Sequence, residues 1–195
     1  MVTQVSASME VEGVTAASVA AAASAAAAAQ STANNALAKQ TGDVVQQIYA
    51  SSGAVITLAS PTLIPFDDTI PQITEGTEIL TATITPAASA NYLEIEAIVN
   101  LSGNTTSGYL LGALFQDSVA NAIAAEAITY TGATFANQMV MRCRIPAGTT
   151  SATVIRLRVG PASATTSQLT INGSAGARLL GGVFLTSLTV TEIKA

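Results

Sequence analysis

The residue pattern after Gly42 constrains the fold most, because short runs of β-branched residues alternate there with turn-forming residues. The strand candidates include VVQQIYASS, NYLEIEAIVNLS and NQMVMRCRIP, and stretches rich in Pro, Gly, Ser and Asn separate them. About eight to ten short strands in roughly 150 residues, with no convincing second helix, are typical of an all-β sandwich, barrel or jelly roll. The segment DSVANAIAAEA is ambiguous, since its alanines also permit one or two helical turns.

The stretch from Val14 to Gln40 is almost pure alanine, which raises the question of a leader, a membrane anchor or a rod. A secretory signal begins with positive charge, but no Lys or Arg precedes this run, whereas Glu10 and Glu12 do. A transmembrane helix needs about 20 strongly apolar residues, and here Ser, Thr, Gln and Asn interrupt side chains that are mostly methyl groups. We therefore expect neither a signal peptide nor membrane insertion.

The same run predicts a helix from Thr15 to about Lys39, because alanine is the best helix former and no Gly or Pro breaks it. Thr15 is expected to cap the N-terminus, and Gly42 to follow the C-terminus. One stripe of apolar side chains has spacings of three and four, which indicates a coiled-coil seam. The seam consists of Val19, Ala22, Ala26, Ala29, Ala33 and Ala36.

Methyl contacts contribute little individually, so an isolated helix of this kind is marginal. Residues 15–42 are therefore predicted to form a thin oligomeric stalk whose assembly depends on a strongly associating neighbour, the β domain of residues 43–195. The alternatives are a single linker helix and a flexible tether.

The charge content excludes several classes of function. Only 10% of the residues are charged, against about 25% in typical soluble domains. A surface made largely of Ser, Thr, Asn, Gln and Gly suits packing against copies of itself. The net charge of −5 argues against nucleic-acid binding, which needs a dense basic face. With no histidine and only Cys143, no disulfide framework, metal site or cofactor is expected.

Catalysis is also not expected, although glycoside hydrolysis needs only two suitably placed carboxyl groups. The available pairs are Asp67 with Asp68, Glu75 with Glu78, and Glu94 with Glu96. Adjacent aspartates in an extended segment point in opposite directions, and Glu75 and Glu78 flank a turn. Calcium binding by Asp67, Asp68 and Glu75 is an alternative, but a turn role as hydrogen-bond acceptors is favoured.

Alternation within the strands predicts charge ladders, because residues two apart share a face. The ladder residues are Glu94, Glu96, Arg142, Arg144, Arg156 and Arg158. A hairpin through PAGTTSA would place all four arginines on one side, where Glu94 and Glu96 would neutralise them. A structural salt-bridge ladder is favoured over a site for an anionic glycan or phosphate.

Several stretches in their order resemble the C-terminal heads of bacteriophage tail fibre and related virion fibre proteins. They are DDTIPQITEGTEILTATITPAASANYLEIEAIV, GALFQDSVANAIAA, PAGTTSATVIRLRVG and INGSAGARLLGGVFLTSLTVTEIKA. The resemblance implies a jelly-roll module of the tumour necrosis factor and complement-globular type, three copies of which pack above a slender trimeric stalk. The chain is shorter than a long tail fibre and has no repeated shaft modules, which leaves a short tail appendage or a head-attached fibre open.

These features together predict a non-enzymatic homotrimeric virion subunit, assembled in the host cytoplasm. Residues 1–14 carry apolar side chains near alternate positions and are expected to add a strand to another virion protein. These side chains are Val2, Val5, Met9 and Val11. Loops around Asn104 and Ser163 are candidates for binding a host surface glycan or protein. The competing interpretations are a structural collar, adaptor or capsid-decorating protein, and a cellular adhesion module, which would need a secretory signal.

Overall fold

The computed structural model of the chain describes residues 15–37, 39–105, 107–132 and 135–195. It divides into two compact units, Met1–Gln40 and Thr41–Ala195. The predicted virion-attachment segment, with Val2, Val5, Met9 and Val11, lies outside the described residues.

The first unit contains one helix, α1 (Ala16–Leu37). Thr15 caps it as predicted: the Ser18 amide donates to Thr15 Oγ1 at 3.1 Å, and the Thr15 amide donates to Ser18 Oγ at 2.9 Å. This reciprocal arrangement satisfies two backbone donors of the first turn. No helix in the described part of the chain combines the length and hydropathy that crossing a bilayer requires.

The seam positions all fall within α1, and the side chains of residues 17–32 are exposed. Val19, the largest apolar side chain of the seam, is 55% exposed. The role predicted for Gly42 is wrong. The helix ends at Leu37, and Gly42 (φ 90°) belongs to the second unit, where its amide donates to the Lys194 carbonyl at 2.8 Å.

The second unit, called the head from here on, is built from short strands. In the described residues they are β1 (Val44–Ser52), β2 (Ile56–Ala59), β3 (Thr77–Ile84), β4 (Tyr92–Gly103), β5 (Ser107–Gln116), β6 (Ala124–Thr131), β7 (Asn137–Pro146), β8 (Thr153–Pro161), β9 (Gln168–Ile171), β10 (Gly173–Ser174), β11 (Ala177–Arg178) and β12 (Thr186–Ile193).

Ten of these strands form two facing antiparallel sheets, and β10 and β11 pair with each other in a small third sheet. The first has the order β1-β12-β4-β7, and β9 continues the line of β12 beside the end of β4, with β2 beyond it. The second has the order β3-β8-β5-β6. Every strand pair is antiparallel, and the chain passes repeatedly from one sheet to the other. This is the strand order of a jelly roll, so the predicted mainly β fold with an N-terminal helix is confirmed.

The main core lies between the two sheets. On β4 the inward side chains are Leu93, Ile95, Ala97, Val99 and Leu101, each at most 2% exposed. The core-facing side chains of β5, β7, β8 and β12 pack against them. Each fully buried leucine or isoleucine stabilises the fold by roughly 1.5–3 kcal/mol.

The predicted hairpin through PAGTTSA is wrong, because β7 lies in the first sheet and β8 in the second. The ambiguous DSVANAIAAEA forms a turn at Asp117 (φ 53°) and then enters β6. A 3-10 turn (Leu180–Gly182) precedes β12, which begins at Thr186.

Asn172 holds the end of β1 to the start of β12. Its side chain is fully buried, and its amide group donates to the carbonyls of Ser52 and Ala54 at 2.8 and 2.9 Å. Its carbonyl accepts a hydrogen bond from the Thr186 hydroxyl at 2.9 Å. The backbone has φ 58°, a conformation that asparagine tolerates better than most residues.

We predict that Asn172→Ala lowers the free energy of unfolding by about 3 kcal/mol, since it leaves buried groups unpaired and puts at positive φ a residue that tolerates this conformation less well than asparagine. Asn172→Gly removes the same hydrogen bonds but tolerates this φ, so it is expected to cost about 1 kcal/mol less. Urea unfolding of both variants measures the difference. Equal losses would show that backbone conformation contributes nothing at this site.

Candidate functional site

The head has two distinct ends. The chain enters it at Thr41, whose hydroxyl donates to the Ala195 carbonyl at 3.1 Å, so the first and last residues of the head lie together. From this proximal end, β1 runs to Ser52 at the opposite, distal end. Gly103 at the end of β4 and Asn137 at the start of β7 also lie there, as the strand register shows.

The two predicted recognition loops come together at the distal end. Asn104 Nδ2 donates to Ser167 Oγ at 3.0 Å, and Asn104 Oδ1 accepts from the Gln168 amide at 3.1 Å. Ser163 Oγ forms a local turn with Thr165, accepting from its amide at 3.3 Å. Residues 103–105 and 162–168 are called the distal loop cluster below.

Tyr130 supports the distal loop cluster from beneath. Its ring is 2% exposed, and its hydroxyl hydrogen-bonds to Thr166 Oγ1 at 2.9 Å and also to Thr105. Gly103 and Gly108 lie against the ring; a Cβ at Gly103 would collide with it, and a Cβ at Gly108 would make a tight contact. Sequence reasoning missed Tyr130. Its signal was the alternation along AITYTG, which places it on the core face of β6.

The outer face of the first sheet carries two rows of side chains in register across four strands. One row is Tyr49, Thr189, Glu96 and Arg142, and the other is Gln47, Thr191, Glu94 and Arg144. The charged members of these two polar rows line a shallow trough of about 450 Å³.

The cross-strand pairs within the polar rows are exposed ion pairs. Arg142 Nε lies 2.5 Å from Glu96 Oε2, and Arg144 Nη1 lies 3.7 Å from Glu94 Oε1. The Arg144 guanidinium also lies 4.2 Å from the centre of the Tyr92 ring. The side chain of Arg142 is 74% exposed, and pairs so open to water contribute about 1 kcal/mol or less.

Arg156 and Arg158 lie elsewhere, on the second sheet, so the expectation that all four arginines share a face opposite Glu94 and Glu96 is wrong. The partner of both is Glu78 on β3, whose Oε2 lies 3.0 Å from Arg156 Nη1 and 3.8 Å from Arg158 Nη1.

Arg156 also donates to the Asp117 carbonyl, and Arg158 to the Glu75 and Gly76 carbonyls. The two guanidinium groups thereby fix loops to β8.

Two of the carboxylates considered for calcium binding, Asp67 and Glu75, have local structural partners. Asp67 Oδ1 accepts from the amide and the hydroxyl of Thr69, and Glu75 Oε2 accepts from the Gln72 amide at 2.9 Å. Within the described ranges, no three side chains of His, Cys, Asp or Glu are grouped as a metal site.

Glu192 is a fully buried carboxylate at the proximal end. It accepts hydrogen bonds from Gln46 Nε2 at 2.7 Å, from Asn91 Nδ2 at 2.6 Å and from the amides of Ala87 and Ala88. Burial raises the pKa of this carboxyl, but the four donors lower it by more, so the pKa lies below its ordinary value of 4.5.

Sequence reasoning also missed Glu192. In TSLTVTEI it follows Leu188 and Val190 at alternate positions, which places it on the core face of β12. A carboxylate in such a position needs several donors, and that requirement was the available signal. Cys143 of β7 packs against the main core, and burial raises the pKa of its thiol.

Comparison with known proteins finds similarity in structure alone. No protein-family model matches the chain, and no curated protein has a sequence that matches it. Among solved structures, Eiger TNF from S. frugiperda has a TM-score of 0.42 at 10% identity, with 76% of this chain and 94% of that chain covered.

A second similar structure is the CBM22-1 xylan-binding domain from Paenibacillus barcinonensis Xyn10C. Its TM-score is 0.37 at 13% identity, with coverage of 81% of this chain and 99% of that chain. At these scores the jelly-roll assignment rests on the strand order of the head itself.

We predict that Glu192→Gln destabilises the head by about 2–4 kcal/mol at neutral pH, because the new amide donors face the existing donors. The folded-state pKa of Glu192 is lowered, so its ionised form stabilises the head above about pH 4.5, and this contribution is lost as the pH falls through the folded pKa. The stability difference between wild type and variant should therefore shrink on acidification. Thermal unfolding at pH 7, 5, 4 and 3 measures it; a constant difference would contradict the assignment.

Proposed function

We propose that the chain is a non-enzymatic bacteriophage virion protein, a short homotrimeric tail fibre held by its N-terminus and presenting the head to the host surface. The observation that supports the proposal is that one chain contains both an exposed alanine helix and a head whose distal loop cluster lies opposite the end at which the chain enters the head.

The helix supports a trimeric stalk. Over residues 17–32 its side chains are exposed in the single chain, and nearly all of them are Ala or Ser. A solitary helix of this composition is only marginally stable, whereas small side chains let several helices approach closely. Val19, Ala22, Ala26 and Ala29 offer the seam for that contact.

The head supports a role in display. Its proximal end contains the chain entry, so the distal loop cluster lies at the far end of every long strand of the first sheet. Loops on a rigid scaffold usually carry recognition, and here Tyr130 and the Asn104 bonds hold them in place. Asn104 and Ser163 remain the proposed host contacts.

The side chains also support a role without catalysis. Among the carboxylates proposed from the sequence, Asp67 and Glu75 accept from backbone amides, and the others with ion pairs bond to arginines, as Glu78 does with Arg156 and Arg158. A general acid or base needs to be poised for proton transfer to a substrate, and such ion pairs oppose that.

A second candidate function is a head fibre, collar or decoration protein with a purely structural role. It is favoured by the mutual hydrogen bonds of the distal loop cluster, in which Asn104, Ser163 and Tyr130 bond to neighbouring protein groups. In that case residues 1–14 would bind a virion protein and the head would contact no host cell.

We predict that the full chain has three times its monomer mass of 19.6 kDa in solution, measured by light scattering. A head beginning at Asp43 should stay trimeric, and the isolated segment Val14–Gln40 should show little helical circular dichroism. A monomeric full chain would refute the trimer, and a monomeric truncated head would show that the stalk drives assembly.

Adsorption to host cells separates the two functions. We expect the fluorescently labelled head to bind susceptible cells, and Asn104→Ala with Ser163→Ala to weaken binding at least about threefold through loss of hydrogen-bonding groups. Binding only to virion protein, through residues 1–14, would establish the structural alternative. Imaging labelled protein on intact particles locates it on the tail or the head.

A further inference from the structure

A long loop covers the outer face of the second sheet. Ile64 is fully buried against Leu111 and Phe115 of β5, and its amide donates to the Pro161 carbonyl at 3.2 Å. Gly160 permits this approach, because a Cβ there would collide with the loop backbone. The segment 65–71 continues from this anchored point.

This segment exposes an aromatic pair that the core does not use. The ring centres of Phe66 and Tyr109 are 4.4 Å apart with planes inclined by 31°. Phe66 is 56% exposed and Tyr109 is 42% exposed. The outward-facing side chains of β5 that follow Tyr109 are buried. The aromatic pair therefore lies where the outer face of the second sheet changes from buried to exposed.

A trough of about 320 Å³ is lined by the residues that follow Phe66 in the chain, and neither ring of the aromatic pair is part of its lining. One wall is the segment 67–71 and the other is the start of β6 with the two residues before it. The apolar walls come from Ile70, Pro71 and residues 122–125, and the polar groups from Asp67, Asp68 and Thr69. No Lys or Arg lines it.

The walls of the trough are preformed. Asp67 Oδ1 accepts from Thr69, Gln72 Nε2 donates to the Ile70 carbonyl at 2.6 Å, and the Ala122 amide donates to the Pro71 carbonyl at 2.9 Å. Gln72 Nε2 also donates to Asn121 Oδ1 at 3.0 Å. A site held in this way loses little conformational entropy when a ligand binds.

We infer that the aromatic pair and the adjoining trough form a binding site for a neutral oligosaccharide. A sugar ring presents an apolar C–H face, which fits an exposed aromatic ring, and an equatorial rim of hydroxyls, which fits carboxylate acceptors. The inference deepens the proposed function and rests on it in one respect, that the ligand is a host surface glycan.

The charges of the site favour this ligand over two others. Asp67 and Asp68 repel an anionic glycan or a phosphate, and no cation of the trough offsets them. A protein partner of ordinary affinity needs a contact of about 800 Å² on each side, whereas this site is one narrow trough bounded by carboxylates.

The test uses the full chain on an array of neutral and acidic oligosaccharides, followed by calorimetric titration of the best neutral ligand. Phe66→Ala and Tyr109→Ala should each weaken binding about tenfold or more, since the stacking surface is lost. Asp68→Asn should weaken it about threefold. Phe135→Ala is the matched control, because Phe135 is 66% exposed and lies outside the site.

Phe66→Leu keeps an apolar side chain but removes the ring, so it controls for a folding defect in Phe66→Ala. We expect Phe66→Leu to lose affinity for the oligosaccharide while its unfolding midpoint stays at that of wild type. The inference is overturned if the wild type binds no neutral oligosaccharide, if it binds acidic ones alone, or if the Phe66 and Tyr109 variants bind as tightly as wild type.

Light scattering and cell adsorption on the same variants separate this inference from the proposed function. Trimers that adsorb to cells equally with and without Phe66 would overturn the glycan site and leave the fibre proposal standing. A monomeric wild type that binds the oligosaccharide would overturn the trimer and leave the site standing.

Discussion

The proximal end of the head depends on one buried carboxylate. Glu192 accepts from Gln46 of β1 and from Ala87, Ala88 and Asn91 of the β3–β4 connection, which joins the second sheet to the first. Asn91 in turn accepts the Ala147 and Ala195 amides, which fixes the β7–β8 connection and the end of the chain. Burying an ion costs several kcal/mol unless donors surround it, so this end folds as one hydrogen-bonded unit or not at all.

The distal end is closed by neutral groups instead. Asn172 and Tyr130 occupy buried positions there and bond to strand ends and loops that are far apart in the sequence. A chain with 10% charged residues has few ions to use, and it places them at ladders and loop anchors such as Arg156 and Arg158. The exposed polar surface is left to uncharged side chains.

The sequence predicted the strands far better than their partners. The bounds of β1 and β7 agree with the predicted runs, because period-two alternation and turn residues are local signals. The hairpin failed because sheet closure decides whether consecutive strands pair, and that decision depends on contacts distant in sequence. For the same reason, the sequence did not predict that the Asn104 and Ser163 loops lie together or that Phe66 contacts Tyr109. The buried positions of Glu192 and Tyr130 could have been predicted from the sequence, since alternation alone places both polar side chains on the core face of their strands.

The weak contacts that the helix can make with other helices limit which part of the chain can drive the proposed assembly. A seam of methyl groups has no side chain large or polar enough to specify the number of strands or their register, and Val19 is the single exception among the described seam side chains. In the proposed trimer, specificity must therefore reside in the head, whose sheets can define a unique contact. The proposed fibre head both assembles and recognises, and it needs different surfaces for the two tasks. The anchored loop with Phe66, on the outer side of the second sheet, and the distal loop cluster offer recognition surfaces that leave the outer face of the first sheet to other contacts.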